Sequence, residues 1–252
     1  MKRYHRMKRA EERLRIAHKQ SKVSTYVREL IYGGVDGTIT TFAVVAGFSG
    51  AALSNETTTQ LSFTMVLLFG LANLFADGVS MGLGNFLAVR SEKSLYCSIR
   101  AKEEQESVDH EDLETKETKA ILLKRGFSES DAQTLTTIYK KNDPYWIDFL
   151  MVNELKIPDP TDENPLYTGL ATFVAFIFFG FIPLIPFVLM GSFEESTAFE
   201  YSALGAGISL VLLGVCKWKI VGTRLVKSVG EIVIVGGAAA TIAFLVGSLF
   251  TI

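Results

Sequence analysis

The chain has 252 residues, of which 48% are hydrophobic, and its mean hydropathy is +0.28. Its apolar residues form long blocks instead of the short helical or strand periods of a soluble domain, which excludes a water-soluble globular protein. The formal net charge is −2, and no part of the sequence indicates nucleic-acid binding.

Five apolar blocks, each with at most one charged residue, follow one another along the chain. They are Ile31–Leu53, Leu61–Val89, Leu166–Met190, Phe199–Val215 and Val229–Ile252. About 20 apolar residues cross a bilayer as a helix, whereas membrane-spanning strands are about half as long and alternate strictly. The sequence therefore predicts an all-α integral membrane protein with five transmembrane helices in a lipid bilayer.

Lys and Arg are unevenly distributed among the segments outside these blocks. Residues 1–30 hold ten of them against three acidic residues, and residues 216–228 hold four and no acidic residue. The positive-inside rule therefore predicts a multi-pass protein with a cytoplasmic N-terminus. The long insert between spans 2 and 3 is then cytoplasmic too. Cys97 and Cys216 fall on the same side, where disulfides are rare, so free thiols are expected.

The sequence divides into four parts: a basic cytoplasmic N-terminal segment (1–30), transmembrane helices 1–2 (31–90), an acidic helical insert (91–165) and transmembrane helices 3–5 (166–252). The insert is predicted to contain three helices, the first beginning at Ser107. Gly126 is a stop signal after the first helix, and Ser128 is an N-cap for the second. Pro183 and Pro186 predict a bend or break in the third span.

A polar stripe lies within the second span. Asn73, Asp77, Met81 and Asn85 are spaced four apart, which places them on one face of a helix. Asp36 in the first span is the expected partner of Asp77. Charged residues inside a membrane are costly to insert and are functional by default. Together these residues predict an intramembrane cation site.

The thioether indicates which class of cation would bind there. Mg²⁺ and Ca²⁺ take oxygen ligands, whereas sulfur favours softer transition metals such as Fe²⁺, Mn²⁺ or Co²⁺. The alternative is that Met81 only packs, as methionine usually does. Because a proton and a metal ion compete for the same carboxylate, such a site would also couple metal transport to protons.

A second set of candidate ligands lies in the acidic insert. Its pattern consists of two Glu-x-x-Glu pairs and one Met-x-x-Glu pair, each of which places both side chains on one helix face. The residues are Glu103, Glu106, Glu114, Glu117, Met151 and Glu154. From spacing alone, an ordinary solvated acidic face is an equally open interpretation, and the nearby His110 is more typical of a surface residue than of a ligand.

The sequence resembles the vacuolar iron transporter family of divalent-metal/proton exchangers in four places: "DGTITTFAVVAGFSGA" in the first span, "DGVSMGLGNFLAVRSE" in the second, the acidic insert, and "WIDFLMVNEL" before the third. The resemblance implies a homodimer whose translocation path lies between the subunits. It also implies a cytoplasmic three-helix metal-binding domain on an extended second helix. It places Asp36 and Met81 in the intramembrane metal site and all six insert residues among the ligands of the cytoplasmic domain.

The chain departs from plant-type members of that family at four positions. Asn73 stands where they have a glutamate, and Asp77 stands where they usually have a glycine, so the carboxylate is displaced by one helical turn. Thr41 replaces the usual proline of the first span. Leu150 stands where a second insert methionine is common.

The sequence thus predicts a proton-coupled exporter of cytoplasmic divalent metal and not an enzyme. Fe²⁺ is the expected substrate, with Mn²⁺, Co²⁺ and Zn²⁺ as alternatives, and no permanently bound cofactor is expected. Two other functions stay open, a metal sensor and a membrane-anchored ferritin-like protein that oxidises or stores iron. Ferritin-like sites use Glu-x-x-His pairs, which the insert lacks. Both a bacterial inner membrane and a vacuolar membrane fit the sequence.

Overall fold

The computed structural model describes residues 26–50, 59–189 and 195–249, and these residues form helices without any β-strand. The helices are α1 (Tyr26–Gly50), α2 (Thr59–Asp109), α3 (Glu111–Lys124), α4 (Glu129–Tyr139), α5 (Asp143–Asn153), α6 (Pro165–Phe181), α7 (Ile185–Leu189), α8 (Glu195–Val221) and α9 (Leu225–Leu249). The predicted all-α class is confirmed. Most of the basic N-terminal segment and of the first interhelical loop lies outside the described residues.

Five helical segments are long and apolar enough to cross a membrane: α1, α2, α6 with α7, α8 and α9. This confirms the predicted five spans. The helices begin earlier than the apolar blocks, as α1 does at Tyr26 instead of Ile31. Hydropathy marks where a helix enters hydrocarbon, whereas backbone hydrogen bonding continues through the polar first turn that holds Arg28 and Glu29.

The chain folds as two compact units. The membrane unit comprises residues 1–86 and 166–252, and the insert unit comprises residues 87–165. Within the membrane unit, α6 contacts both α1 and α2 through glycines. A Cβ atom added to Gly33 of α1 would lie 2.7 Å from the Thr172 carbonyl oxygen, and one added to Gly82 of α2 would lie 3.0 Å from that of Gly169. Small residues thus allow the helices to approach backbone to backbone.

The third span is broken where its prolines predict. Helix α6 ends at Phe181, a 3₁₀ turn follows at Ile182–Leu184, and α7 resumes at Ile185. The Ser202 hydroxyl of α8 donates a hydrogen bond of 2.7 Å to the Pro183 carbonyl. A neighbouring helix therefore satisfies a carbonyl within the break, as a membrane interior requires.

The insert unit contains the last part of α2 together with α3, α4 and α5. Gly126 has a positive φ of 98° just after α3, and the Ser128 hydroxyl accepts a hydrogen bond from the Asp131 amide at the start of α4. Both capping predictions are confirmed. The predicted start of the first insert helix at Ser107 is wrong, because α2 continues to Asp109 and the chain breaks only at His110.

The core of the insert unit is built around α5. The buried Trp146 indole donates a hydrogen bond of 2.7 Å to the Thr118 hydroxyl of α3. Tyr96, Ile147 and Met151 form an apolar cluster that joins α5 to α2. These contacts fix the positions of the side chains on the facing surfaces of α2, α3 and α5.

Candidate functional site

The polar stripe of the second span lies at the edge of the buried face of α2. Asn73, Asp77, Met81 and Asn85 are all half-buried, next to the buried residues of the same helix. Asp36 of α1 is also half-buried. Asp36 and Asp77 lie close enough for their charges to interact. Two carboxylates on different membrane-spanning helices are therefore within electrostatic reach of each other.

The other members of the stripe differ in how they are held. The side-chain amide of Asn85 donates a hydrogen bond of 2.7 Å from Nδ2 to the Thr172 hydroxyl of α6. Oδ1 is the atom of Asn85 that is suited to a cation, because an amide oxygen accepts whereas an amide nitrogen only donates. Met81 packs against the apolar cluster that contains Leu74 and Phe176. This packing agrees with a purely structural role, although a thioether at this position also lies on the same helix face as Asp77.

Three carboxylates converge in the insert unit, and each comes from a different helix. Glu103 lies on α2, Glu114 on α3, and Glu154 caps the end of α5. One oxygen of each lies within 4.8 Å of one oxygen of the others. Glu103 and Glu114 are only 4% exposed. We refer to Glu103, Glu114 and Glu154 as the carboxylate cluster.

Each member of the carboxylate cluster has a buried oxygen without a hydrogen-bond partner: Glu103 Oε1, Glu114 Oε2 and Glu154 Oε2. Buried oxygens of this kind are costly unless a donor or a cation satisfies them. Three buried carboxylates that converge in this way fit a divalent cation, which would supply positive charge and ligand bonds together.

The electrostatics of the carboxylate cluster also fit a cation-binding role. Burial raises the pKa of Glu103 to about 7, and the neighbouring charges of Glu114, Glu106 and Glu117 add to the effect. Burial likewise raises the pKa of Glu154 to about 7, with contributions from Glu117 and the other cluster members. The pKa of Glu114 is raised by burial and by Glu117 and Glu106, against a smaller opposing effect of His110.

The remaining predicted insert ligands lie around the carboxylate cluster. Glu117 is half-buried and close enough to raise the pKa of Glu154, whereas Glu106 is exposed but close enough to influence two cluster members. Met151 is fully buried. His110 is exposed and lies outside the three-carboxylate group. The described residues thus bring three of the six predicted ligands into direct proximity.

One polar residue of the membrane unit was missed by the sequence reasoning. Glu29 of α1 is 2% exposed, and its Oε1 lies 3.0 Å from Arg28 Nε, while its Oε2 has no hydrogen-bond partner. The signal was present in the sequence, because Glu29 precedes Gly33 and Gly37 at intervals of four. Those glycines face α6, so Glu29 belongs to a packed helix face.

Comparison with known proteins places the chain in a family. The sequence pattern of the VIT family matches residues 27–248. The chain is similar to a vacuolar iron transporter of Toxoplasma gondii, with 36% identity over 242 residues that cover 92% of this chain and 78% of that protein. It is also similar to vacuolar iron transporter 1 of Arabidopsis thaliana, with 31% identity over 86% of this chain and 83% of the relative.

A third relative, vacuolar iron transporter 1 of Eucalyptus grandis, is 28% identical over 93% of this chain and 91% of its own length. These relatives are named as transporters and not as enzymes, in agreement with the prediction. The match spans the described helices of both units. The chain is a membrane protein that belongs to the VIT family.

Proposed function

We propose that the chain exports a cytoplasmic divalent transition metal, foremost Fe²⁺, in exchange for protons. The observation that carries this proposal is the pair of carboxylates, Asp36 and Asp77, within electrostatic reach of each other on two membrane-spanning helices. The names of the relatives support iron as the metal and a vacuolar membrane as the location.

The exchange follows from competition for the same oxygens. A carboxylate that binds a metal ion must give up its proton, and a carboxylate that takes up a proton loses its charge for the metal. Metal that reaches Asp36 and Asp77 from the cytoplasm therefore releases protons, and protonation from the opposite side releases the metal. Asn73, Asn85 and Met81 would add two amide oxygens and one sulfur, a mixed set that suits Fe²⁺, Mn²⁺ or Co²⁺.

The insert unit would collect metal on the cytoplasmic side. The three unsatisfied carboxylate oxygens of the cluster support this role. Glu106, Glu117 and Met151 complete the proposed ligand set. A cytoplasmic position of the insert agrees with the excess of Lys and Arg in residues 1–30 and 216–228.

A homodimer would complete the transport path. Next to the polar stripe, α2 has an exposed face on which small residues recur every four positions: Ala72, Ala76, Ser80 and Gly84. Small residues at this spacing allow close helix association in a membrane. A second copy on this face would cover the half-exposed polar stripe. This arrangement agrees with the subunit interface that the family resemblance implies.

Disulfide crosslinking tests the dimer. In a chain with Cys97→Ser and Cys216→Ser, we expect Ala76→Cys to give a crosslinked dimer in the membrane under mild oxidation. The matched control is Ile234→Cys, which places a thiol on α9 at a residue that is 72% exposed. If the α9 thiol crosslinks as efficiently as the α2 thiol, the proposed interface is wrong.

Transport in proteoliposomes tests the function itself. When the liposome lumen is more acidic than the outside, we expect the wild-type chain to take up Fe²⁺ as protons leave. We expect Asp36→Asn with Asp77→Asn to reduce this uptake to the rate of protein-free liposomes. The control is Glu200→Gln, which removes an exposed carboxylate from α8. Metal flux in the double variant equal to that of wild type would refute the site.

The same preparation separates the other functions. A metal sensor would bind metal without flux in any pH gradient. A ferritin-like oxidase would consume oxygen when Fe²⁺ is added, and this consumption would depend on the carboxylate cluster and not on Asp36 or Asp77.

A further inference from the structure

A groove between α1, α8 and α9 of the membrane unit combines an apolar floor with a charged mouth. It encloses about 780 Å³. The apolar lining includes Ile31, Val35, Ile220, Val221, Ile232 and Val235. Arg28, Lys217 and Glu231 line the same groove. We propose that this groove binds an anionic phospholipid, with an acyl chain on the apolar floor and the phosphate against Arg28 and Lys217.

The apolar part of the groove lies within membrane-spanning helices. Hydrocarbon, and not water, fills such a space in a bilayer. A second groove of about 700 Å³ lies on the α6 side of α1, and its lining is almost wholly apolar. Val27 and Ile220 line both grooves. The two grooves therefore adjoin each other and offer separate places for the two chains of one phospholipid.

The charged residues of the groove all lie at one end of the spans. Arg28 is in the first turn of α1, Lys217 is near the end of α8, and Glu231 is in the second turn of α9. The ends of membrane spans meet the phosphate groups of a bilayer, and basic pockets between membrane helices bind anionic headgroups there. Tyr32, which is 62% exposed, also lines the groove, and tyrosine is typical of the membrane interface.

The charges at the mouth leave a surplus of positive charge. Lys217 Nζ lies 2.7 Å from Glu231 Oε2, and Lys227 Nζ lies 3.9 Å from Glu231 Oε1, so two ammonium groups share one carboxylate. Arg28 contacts Glu29 through Nε and is 72% exposed. Its two terminal amino groups are suited to a phosphate. Glu231 is the group with which a lipid phosphate must compete for Lys217.

Native mass spectrometry of the full chain in a neutral detergent tests this site. We expect dioleoyl phosphatidylglycerol to bind more tightly than dioleoyl phosphatidylcholine, which has the same acyl chains. Arg28→Gln and Lys217→Gln should each weaken phosphatidylglycerol binding by about fivefold, because each cation near a headgroup contributes about that factor. Glu231→Gln should strengthen it by about the same factor, because the competing carboxylate is removed.

Lys219→Gln is the matched control, since Lys219 is an exposed cation near the same end of α8 but does not line the groove. Equal binding of both lipids, or an equal loss with Lys219→Gln, would overturn the proposal. Weaker phosphatidylglycerol binding in Glu231→Gln would also overturn it, because the ion pair would then hold the groove together. Arg28→Gln leaves the Lys217–Glu231 pair intact and so does not disturb the α8–α9 contact.

Discussion

The two candidate metal sites hold their carboxylates in different ways. In the insert unit, Glu103, Glu114 and Glu154 come from three helices and meet within 4.8 Å, with unsatisfied buried oxygens. In the membrane unit, Asp36 and Asp77 come from two helices and are only half-buried. The carboxylates of the insert site are thus enclosed by helices of one chain, whereas those of the membrane site are partly exposed at the surface of the chain.

This difference agrees with two roles. A site that collects metal benefits from several converging charges, because affinity rises with the number of charged ligands. A site on a transport path must bind tightly enough to admit an ion and weakly enough to release it. We therefore expect that the insert cluster determines affinity for metal and that the membrane pair determines flux.

The largest effect should separate the two roles directly. Glu103→Gln with Glu154→Gln removes two of the three cluster carboxylates. We expect the metal affinity of the insert to fall by at least about a hundredfold, because even mutation of residues that only support metal ligands lowers metal affinity ten- to a hundredfold. Isothermal titration with Mn²⁺ on the full chain measures this loss. At saturating metal, the same variant should still transport in proteoliposomes.

Glu104→Gln is the matched control for this variant, because Glu104 follows Glu103 but pairs with Arg100 on the exposed surface. It should keep wild-type affinity. If the Glu103/Glu154 variant loses transport even at saturating metal, the division between collection and flux is wrong.

Helix type and number follow from local sequence signals, so the sequence predicted them. Apolar block length set the five spans, the prolines set the break after Phe181, and Ser128 set the start of α4. At His110 the backbone leaves the helix, with φ −129° and ψ 36°. The sequence has no signal for this break, because neither glycine nor proline lies there.

The candidate sites show the same limit. The four-residue intervals between Asn73, Asp77, Met81 and Asn85 predicted that they share one helix face. All four lie at the edge of the buried face of α2. Spacing of three placed Glu103 and Glu106 on one side of α2, but only Glu103 is buried. How deeply a side chain is buried depends on which neighbouring helix covers it. Thr172, the partner of Asn85, is 87 residues away and carries no sequence signal of that contact.

A smaller effect concerns protons at the insert cluster. Because the pKa values of Glu103 and Glu154 are about 7, metal binding below pH 7 must displace protons. Apparent affinity should rise by about tenfold per pH unit for each proton released between pH 5 and 7, and then level off. Titrations in buffers of different ionisation enthalpy count the protons. Affinity that is independent of pH in this range would show that these carboxyl groups do not bind the metal.

The smallest expected effect is on the stability of the insert unit without metal. A carboxyl group with a folded-state pKa of about 7, above its ordinary pKa of 4.5, binds protons more readily in the folded than in the unfolded state. Its contribution to the unfolding free energy is therefore fully present below about pH 4.5 and is lost as the pH rises through 7. We expect the metal-free unit to unfold at lower urea concentration at pH 8 than at pH 5.5.

Trp146 provides the measurement, because it is buried in the core of the insert unit. With Trp218→Phe, it becomes the only tryptophan of the chain, and its fluorescence reports unfolding of that unit alone. In Glu103→Gln with Glu154→Gln, the pH dependence should largely disappear, because glutamine does not titrate. Saturating Mn²⁺ should raise the midpoint at pH 8 in the wild-type cluster only. If the glutamine variant keeps the full pH dependence of its urea midpoint, groups other than Glu103 and Glu154 control the stability of the insert unit.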